Sequence, residues 1–343
     1  MPSTKTKFGI TAPVPGTSVG GLVDFIVKCE KAGFDSLWIP DHVVFIADKE
    51  TPEAWSVITA AAGATSKIQM GTIGDPHRLH PAIFAQRLAT VSHIAGDRIF
   101  ACLGYGEKMN TDPYGIEWDK PLGRLKESVE VMRKLWTGKR TNFKGKFFRL
   151  EKAKLTITPS GKNQKIPLYI AATGPKALKI AGKTGDGWVT NAMPSRVFSK
   201  KLKEVGGKSK NPDFEKCLFM FVSVAKNTDD TYATIEPVKH ALVWPELLKD
   251  AGYNIKIADR YKGLSYTKVL PTDTAMIKKF REMGEKYYTR EMLADFVIFG
   301  TPDEVAARIK EYEKAGVNHF IFRDFSPDRD YSLNTLSEMV SAK

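Results

Sequence analysis

Ionisable side chains that could take part in catalysis follow short apolar segments of this chain. His42 comes just after residues 36–40, Glu107 comes after residues 98–103, and Arg323 ends a third such segment. An imidazole has an ordinary pKa of about 6.5, so it can exchange a proton near neutral pH. These residues indicate acid–base chemistry, provided that the fold brings the ends of the apolar segments together.

Four apolar segments, including the three above, begin just after a glycine that ends a helix-like segment. The glycines are Gly33, Gly96, Gly185 and Gly316. Glycine often supplies the left-handed residue that ends a helix, and a short apolar run without alternation is typical of a strand buried on both faces. The pattern predicts a parallel α/β fold, in which ligands lie at the carboxyl ends of the strands.

Eight segments of this kind can be counted along the chain. They are residues 7–10, 36–40, 67–72, 98–103, 166–171, 187–190, 218–224 and 319–323. Together with the length of 343 residues, this count predicts a (β/α)8 TIM barrel with insertions, in a single domain spanning residues 1–343. An open doubly wound sheet is the alternative, but no Gly-x-Gly-x-x-Gly follows the first strand, as a dinucleotide-binding fold would require.

Two segments do not fit a plain barrel and are predicted to be insertions. Residues 137–165 contain nine Lys and Arg against one Glu, and residues 143–148 predict a hairpin turn between strands. Residues 231–293 are mostly polar with a helical pattern. Insertions on the active face of a barrel commonly form lids.

The net charge of +13 could suggest a nucleic-acid partner. However, the aromatic residues lie within predicted strands, whereas a single-strand binder needs them among its basic surface positions. We therefore expect no nucleic-acid partner, and an acidic small ligand is the better interpretation of the charge.

Composition also bears on the compartment. No apolar run approaches the roughly 20 residues of a membrane span, and the amino terminus lacks the apolar core of a signal peptide. The three cysteines, Cys29, Cys102 and Cys217, cannot pair evenly and predict buried free thiols in a reducing compartment. A cytoplasmic protein without a membrane partner is expected.

Metal and nucleophile chemistry have little support. His77 and His80 stand three residues apart and could share a metal on a helix, but Pro76 and Pro81 bracket them and predict a loop. No metal site is expected. Nucleophile elbows, Cys-x-x-Cys pairs and Walker-type glycine loops are also missing from the sequence. The chemistry must therefore come mostly from ionisable side chains at strand ends, with or without an organic cofactor.

Several motifs taken together resemble the bacterial-luciferase-like superfamily, and most closely its branch that uses the deazaflavin coenzyme F420. They are Asp41-His42, Gly71-Thr72, His80-Pro81, residues 103–110, residues 143–150, residues 167–175 and residues 301–304. The resemblance extends from about Phe8 to Asp328. It implies a luciferase-like barrel that holds the deazaflavin at the carboxyl ends of its strands.

The resemblance also implies residues for the ring. Ile73 and Gly74, just after the third strand, would form a non-proline cis peptide against it, with an ordinary turn as the alternative. His42 would take or return the substrate proton, and Asp41 would orient the imidazole or bind the cofactor.

Glu107 would complete the acid–base step, Gly106 would let it approach the ring, and Asn110 would bind the polar side chain of the cofactor. A purely structural histidine and a solvated loop acid are the alternatives for His42 and Glu107.

A phosphate site is predicted where the fifth strand meets a helix. Free amide groups at a helix start attract phosphate, and in the family this region holds the phosphate of the cofactor tail. The candidates are Ala172, Thr173 and Gly174, with Asn191 after the sixth strand. A simple helix start with proline in its first turn is the alternative.

The substrate is less well defined. Ile46 stands where the dehydrogenases of the family have tryptophan. The positions at which the glucose-6-phosphate enzyme has cations for its sugar phosphate align near Met193 and at Asp295, so a sugar phosphate is not expected as the substrate. Residues 9–12 lack the acidic residue of the pterin reductases. A carbonyl compound, a secondary alcohol and a methylene-pterin all remain possible substrates.

The resemblance implies an F420-dependent oxidoreductase that transfers hydride between the deazaflavin C5 and a small organic substrate. An FMN-dependent luciferase-like monooxygenase is one alternative, and a non-catalytic deazaflavin-binding protein is another. Because family members are commonly dimers, a homodimer is expected.

Overall fold

Strands and helices alternate along the chain. The computed structural model describes residues 5–14, 16–45, 49–161, 165–242, 245–261 and 264–341. The strands in these ranges are β1 (Lys7–Thr11), β2 (Ser36–Pro40), β3 (Gln69–Gly74), β4 (Ile99–Leu103), β5 (Thr141–Lys144), β6 (Arg149–Ala153), β7 (Leu168–Ala171), β8 (Gly187–Thr190), β9 (Glu215–Val224), β10 (Val297–Gly300) and β11 (His319–Asp324).

The same ranges contain the α-helices. They are α1 (Val19–Lys31), α2 (Ala54–Ala64), α3 (Pro81–Ala95), α4 (Pro121–Leu135), α5 (Pro175–Thr184), α6 (Ser195–Val205), α7 (Thr228–Ile235), α8 (Lys239–Leu242), α9 (Pro245–Asp250), α10 (Thr274–Tyr287), α11 (Arg290–Phe296), α12 (Pro302–Lys314) and α13 (Arg329–Ser341).

Eight parallel strands close into a barrel. Their order is β1, β2, β3, β4, β7, β8, β9 and β11, and β11 pairs with β1 to complete the ring. Every predicted strand is present, so the predicted TIM barrel is confirmed. The alternative of an open doubly wound sheet is wrong, because hydrogen bonds join the first and last strands of the ring.

The glycines that precede the strands end their helices in two different ways. Gly33, Gly96 and Gly316 have φ angles of +84°, +55° and +106°, as predicted for left-handed residues. The prediction is wrong for Gly185, whose φ is −72°. A Cβ atom there would stand 2.9 Å from the carbonyl oxygen of Ala181, so close backbone packing is what requires glycine at this position.

Several strands differ from the prediction by one to three residues at an end, and one strand is additional. β3 continues through Ile73 and Gly74, β9 begins three residues early at Glu215, and β10 was not predicted. β10 pairs in parallel with the carboxyl-terminal half of β9, outside the ring. Its four apolar residues directly follow α11, and periodicity alone does not separate so short a run from the end of a buried helix.

Aromatic side chains fill the lumen of the barrel. The rings of Trp38 and Phe100 lie 4.2 Å apart, and Tyr169 stands 5.7 Å from Trp38. Glycine makes room for them: a Cβ atom at Gly71 would lie 2.3 Å from the Phe100 ring. The lumen is therefore a packed core, and space for a ligand lies above it, at the strand ends.

Both predicted insertions contain regular structure. β5 and β6 form the predicted antiparallel hairpin, and the Glu127 carboxylate accepts hydrogen bonds from the backbone of Lys146, Phe147 and Phe148 at its turn. Residues 231–293 contain most of α7 and all of α8 to α10, which agrees with their helical pattern. None of the described helices has the length and hydropathy needed to span a membrane.

Candidate active site

A cavity of about 290 Å³ lies at the carboxyl ends of the barrel strands. Ten of the eleven predicted site residues line it: Asp41, His42, Ile73, Gly74, Gly106, Glu107, Asn110, Ala172, Thr173 and Asn191. The exception is Gly174, which stands at the N-cap position of α5. Residues from five consecutive strand ends thus meet in one space, as expected for a parallel barrel.

Hydrogen bonds from neighbouring strands hold the loop that carries His42. The backbone N–H of Asp41 donates to the carbonyl of Ile73 at 2.8 Å. The side-chain oxygen of Asn110 accepts from the backbone N–H of Val43 at 2.8 Å, and Asn110 is buried. Asn110 therefore positions the His42 loop as well as lining the cavity.

His42 and Glu107 face each other in the cavity. The His42 Nε2 and Glu107 Oε2 atoms are 3.6 Å apart, and 15% and 25% of the two side chains are exposed. This separation exceeds a hydrogen bond. The imidazole also stacks on Phe45, with ring centroids 4.1 Å apart and an interplanar angle of 11°, so its plane is fixed.

The pair carries no charge at neutral pH. Burial, followed by the positive charge of Arg78, lowers the pKa of His42 to about 4. Burial, followed by the negative charge of Asp75, raises the pKa of Glu107 to about 8. At neutral pH the carboxyl group therefore holds a proton that it can donate, and the neutral imidazole can accept one.

A buried ionic network that the sequence motifs did not indicate lies beside this pair. Arg78 Nη2 lies 2.8 Å from Asp41 Oδ1, and Arg78 Nε lies 3.5 Å from Asp75 Oδ2. Arg78 Nη2 also donates to the Asp41 carbonyl at 2.7 Å. The sequence pattern that could have indicated this network is Arg78 close after the end of β3, with Asp75 at that end and Asp41 at the end of β2.

The two histidines of the same segment have separate roles. The His77 ring is fully buried, with Nδ1 3.5 Å from Asp75 Oδ1. His80 accepts a hydrogen bond from the backbone of Ala82 at the start of α3. Nothing in this arrangement joins the two rings around a common ion.

A different cluster of possible metal ligands lies at the amino-terminal end of the barrel. Glu215, Cys217 and His319 bring their ligand atoms within 4.8 Å of one another. His319 is already hydrogen-bonded to Ser36 at 2.7 Å and to Glu215 at 2.6 Å, and Glu215 pairs with Lys7 at 2.6 Å. The contacts describe a buried polar network that ties strand starts together.

The predicted phosphate region is held from two sides. The Ala172 carbonyl accepts a hydrogen bond from the Trp188 indole at 2.8 Å. The Thr173 carbonyl accepts one from Lys201 at 2.9 Å. Lys201 is buried and also pairs with Asp250 at 2.7 Å. No side chain caps the start of α5, and Lys201, which no sequence motif indicated, lies close to it.

The second insertion contributes to the cavity wall. Leu247, Ser265 and Thr267 line the cavity, together with Phe219 of β9. The hydroxyl oxygens of Ser265 and Thr267 are 3.2 Å apart. This side of the cavity is therefore mixed, with apolar groups beside two hydroxyls. Ile46, which the sequence placed near the substrate, lies outside the described residues.

Gly106→Ala should disturb Glu107 directly. Gly106 has a φ of +82°, and a Cβ atom there would lie 3.0 Å from Asp75 Cβ. A left-handed non-glycine residue costs about 1–2 kcal/mol. We expect a destabilisation of this size in chemical denaturation. Gly63→Ala is the matched control, because a Cβ atom there has no neighbour within 4 Å. Equal stability of the two variants would contradict the expected backbone strain of alanine at position 106.

Comparison with known proteins defines the family. The model of the luciferase-like monooxygenase family matches residues 4–319, so the chain belongs to that family and the resemblance inferred from the sequence motifs is confirmed.

The chain is also similar to individual proteins of known activity. The chain is 31% identical to a 5,10-methylenetetrahydromethanopterin reductase of Archaeoglobus fulgidus, across 98% of this chain and 99% of that protein. It is 28% identical to an F420-dependent glucose-6-phosphate dehydrogenase of Amycolatopsis mediterranei, across 98% of each. A solved F420-dependent secondary alcohol dehydrogenase in complex with an F420–acetone adduct has a TM-score of 0.80 and 27% identity, with 99% of both chains covered.

Proposed function

We propose that this protein is a coenzyme F420-dependent oxidoreductase that transfers hydride between the deazaflavin and a small organic substrate. The observation that carries the proposal is the His42–Glu107 pair, whose side chains face each other in a cavity at the strand ends. The named relatives that use F420 for oxidation and reduction support the choice of cofactor.

The cavity fits a planar ring with polar edges. Gly74, Gly104 and Gly106 leave one wall without side chains, so a flat ligand can approach the backbone closely. Three buried atoms among the lining residues, His42 Nδ1, Glu107 Oε2 and Thr190 Oγ1, have no hydrogen-bond partner. Because buried polar atoms are normally paired, a ligand that supplies partners suits this site.

The lining residues divide between the two ends of such a cofactor. Asp41, Ile73, Gly74, Gly106 and Asn110 would hold the ring. Ala172, Thr173, Gly174 and Asn191 would hold the tail phosphate, where the free amides at the start of α5 favour an anion. When bound, the deazaflavin supplies or accepts hydride at its C5 carbon.

His42 and Glu107 would manage the proton that accompanies hydride transfer. In carbonyl reduction the protonated Glu107 carboxyl would supply the proton, which would reach the developing alkoxide by way of the His42 imidazole. In alcohol oxidation the hydroxyl proton would follow the reverse path, from the imidazole to the Glu107 carboxylate. Phe219 and Leu247 would limit the access of water to the reacting atoms. If the substrate is a methylene-pterin, His42 serves as a wall and moves no proton.

Cofactor choice tests the proposal directly. Binding should be tighter for coenzyme F420 than for FMN by at least about tenfold, or 1.4 kcal/mol. Part of this margin should fade with added salt, since the net charge of +13 attracts an acidic tail and surface charges are screened by ions. Fluorescence titration of both cofactors at low and high salt measures these effects.

Each outcome of the titration has a distinct meaning. Preference for FMN, with oxygen consumption by the reduced form, would replace the proposal with a luciferase-like monooxygenase. Tight deazaflavin binding without turnover on alcohols, ketones or methylene-pterins would indicate a non-catalytic binding protein. A preference that salt does not change would remove only the role of the basic surface.

The assembly and compartment are part of the same proposal. We infer a homodimer that works in the cytoplasm on a small-molecule substrate. The three buried, unpaired cysteines support a reducing compartment. Sedimentation analysis of the purified protein checks the subunit number, and fractionation of the source cells checks the compartment.

A further inference from the structure

The charges around the His42–Glu107 pair are distributed unevenly. Asp75 and Arg78 both come from the segment between β3 and α3. Their side chains form hydrogen bonds with the backbone of His77 and of Asp41 rather than with the pair itself. Only 4% of the Asp75 side chain and 16% of the Arg78 side chain are exposed. Because buried charges are weakly screened, they act strongly on neighbouring protons.

Asp75 is packed under the backbone that carries Glu107. A Cβ atom built on Gly106 would lie 3.0 Å from Asp75 Cβ and 3.2 Å from its Cγ. The Asp75 carboxylate is anchored by the backbone N–H of His77 at 2.9 Å and by Arg78 Nε at 3.5 Å. Burial opposes its ionisation, but the hydrogen bond from His77 and the charge of Arg78 keep its pKa below the usual value. A fixed negative charge therefore stands beside Glu107.

Arg78 is packed on the side of His42. Its guanidinium makes two contacts with Asp41, the residue before His42, at 2.8 Å to Oδ1 and 2.7 Å to the carbonyl oxygen. Burial works against the charged guanidinium, but Asp41 and Asp75 outweigh it and raise the pKa of Arg78. A fixed positive charge therefore stands beside the imidazole.

We propose that Asp75 and Arg78 are positioning residues that act together with burial to fix where the transferable proton of the His42–Glu107 pair resides. The Asp75 carboxylate holds the proton on Glu107, and the Arg78 guanidinium keeps it off His42. Neither residue needs to touch substrate. The proposal rests on the proton-transfer role of the pair in the proposed function.

Other charges near the pair are weaker or shared. Glu53 acts on Asp41 and Arg78, and Arg323 disfavours the protonated form of His42. The His77 ring contacts Asp75 at 3.5 Å. Asp75 itself also favours the protonated form of His42 and pairs with Arg78, so the midpoints of both His42 and Glu107 are followed in each variant.

Two substitutions test the proposal with opposite signs. Asp75→Asn removes a like charge, so the titration midpoint of Glu107 should fall by about one unit. Arg78→Gln removes a repelling cation, so the midpoint of His42 should rise by about one unit. Both are measured in the cofactor-free protein, by infrared spectroscopy of the protonated carboxyl band and by NMR of ¹⁵N-labelled imidazole. Glu107→Gln and His42→Gln assign the signals.

Asp112→Asn is the matched control. Asp112 pairs with Lys108 at 2.9 Å near the same site, but 36% of its side chain is exposed, so its removal should leave both midpoints unchanged. A folded Asp75→Asn protein with an unchanged Glu107 midpoint would overturn the proposal. A downward shift of the His42 titration midpoint in Arg78→Gln would also overturn it. So would an ordinary acidic titration midpoint of Glu107 in the wild type, a measurement that does not depend on the folding of any variant.

Turnover separates this inference from the proposed function. If coenzyme F420 supports catalysis, the pH at which carbonyl reduction declines should move down in Asp75→Asn together with the Glu107 midpoint. If F420 supports no turnover but both midpoints move as expected, the proposed function fails and the inference stands. If F420 supports turnover but the midpoints do not move, the inference fails and the proposed function stands.

Discussion

His42→Ala should lower turnover on an alcohol or ketone about 10²- to 10⁴-fold, the usual contribution of a general acid or base. Cofactor affinity should stay within a few-fold, because the imidazole stacks on Phe45 and faces Glu107. Steady-state kinetics with reduced and oxidised deazaflavin, alongside fluorescence titration of the cofactor, separates the two quantities.

Two further variants make the His42 result specific. His42→Gln keeps a polar side chain without the titrating ring, so it should lose turnover to a similar extent. His93→Ala removes an exposed histidine whose ring contacts the Thr158 carbonyl, so it should behave like the wild type. Wild-type turnover in His42→Ala on an alcohol or ketone would make His42 structural, while retention on a methylene-pterin alone would favour the reductase-like substrate.

The barrel was predictable because its signals are local. Each strand is a short apolar run, and most are bounded by glycine or by a helix-like pattern on a single stretch of chain. The additional strand β10 escaped because its four residues continue directly from α11. The extension of β3 through Ile73 and Gly74 escaped because strand ends depend on pairing with neighbours, which a sequence pattern does not contain.

Placement of the site was predictable for a different reason. Parallel strands bring their carboxyl ends to one face, so residues that follow strands meet whatever their distance in sequence. This rule predicts that His42 and Glu107 meet, and in the structure their Nε2 and Oε2 atoms are 3.6 Å apart. It does not predict Arg78 or Lys201, because each reaches the site from outside a strand end through a long side chain whose direction depends on packing.

Charge states were the least predictable property. The sequence indicates an ordinary histidine and an ordinary glutamate, whereas burial moves the pKa of His42 down to about 4 and that of Glu107 up to about 8. Both shifts come mainly from the removal of water. Burial of a given side chain follows from the whole barrel and its second insertion, so no motif around either residue contains this information.

Glu107→Gln should remove the upper limb of the pH profile. In carbonyl reduction the protonated carboxyl is the donor, so the rate of the wild type should fall as the pH rises through about 8. Glutamine neither donates a proton to an alkoxide nor titrates, so turnover should drop by about 10²- to 10⁴-fold and the decline near pH 8 should disappear. Alcohol oxidation by the wild type needs the carboxylate as acceptor if Glu107 is the base, so that rate should instead rise over the same range.

Stability gives a second measurement of the same proton. Because the folded-state pKa of Glu107 is raised from 4.5 to about 8, its contribution to stability is fully present below about pH 4.5 and is lost as the pH rises through about 8. Glutamine has no such cost, so the melting temperature of Glu107→Gln relative to the wild type should increase between these limits and then level off. Glu117→Gln, on the same loop but 76% exposed in its side chain, should show no such trend. A constant difference between Glu107→Gln and the wild type across that range would mean that Glu107 is ionised in the folded protein at neutral pH, and the acid in carbonyl reduction would then have to be another group.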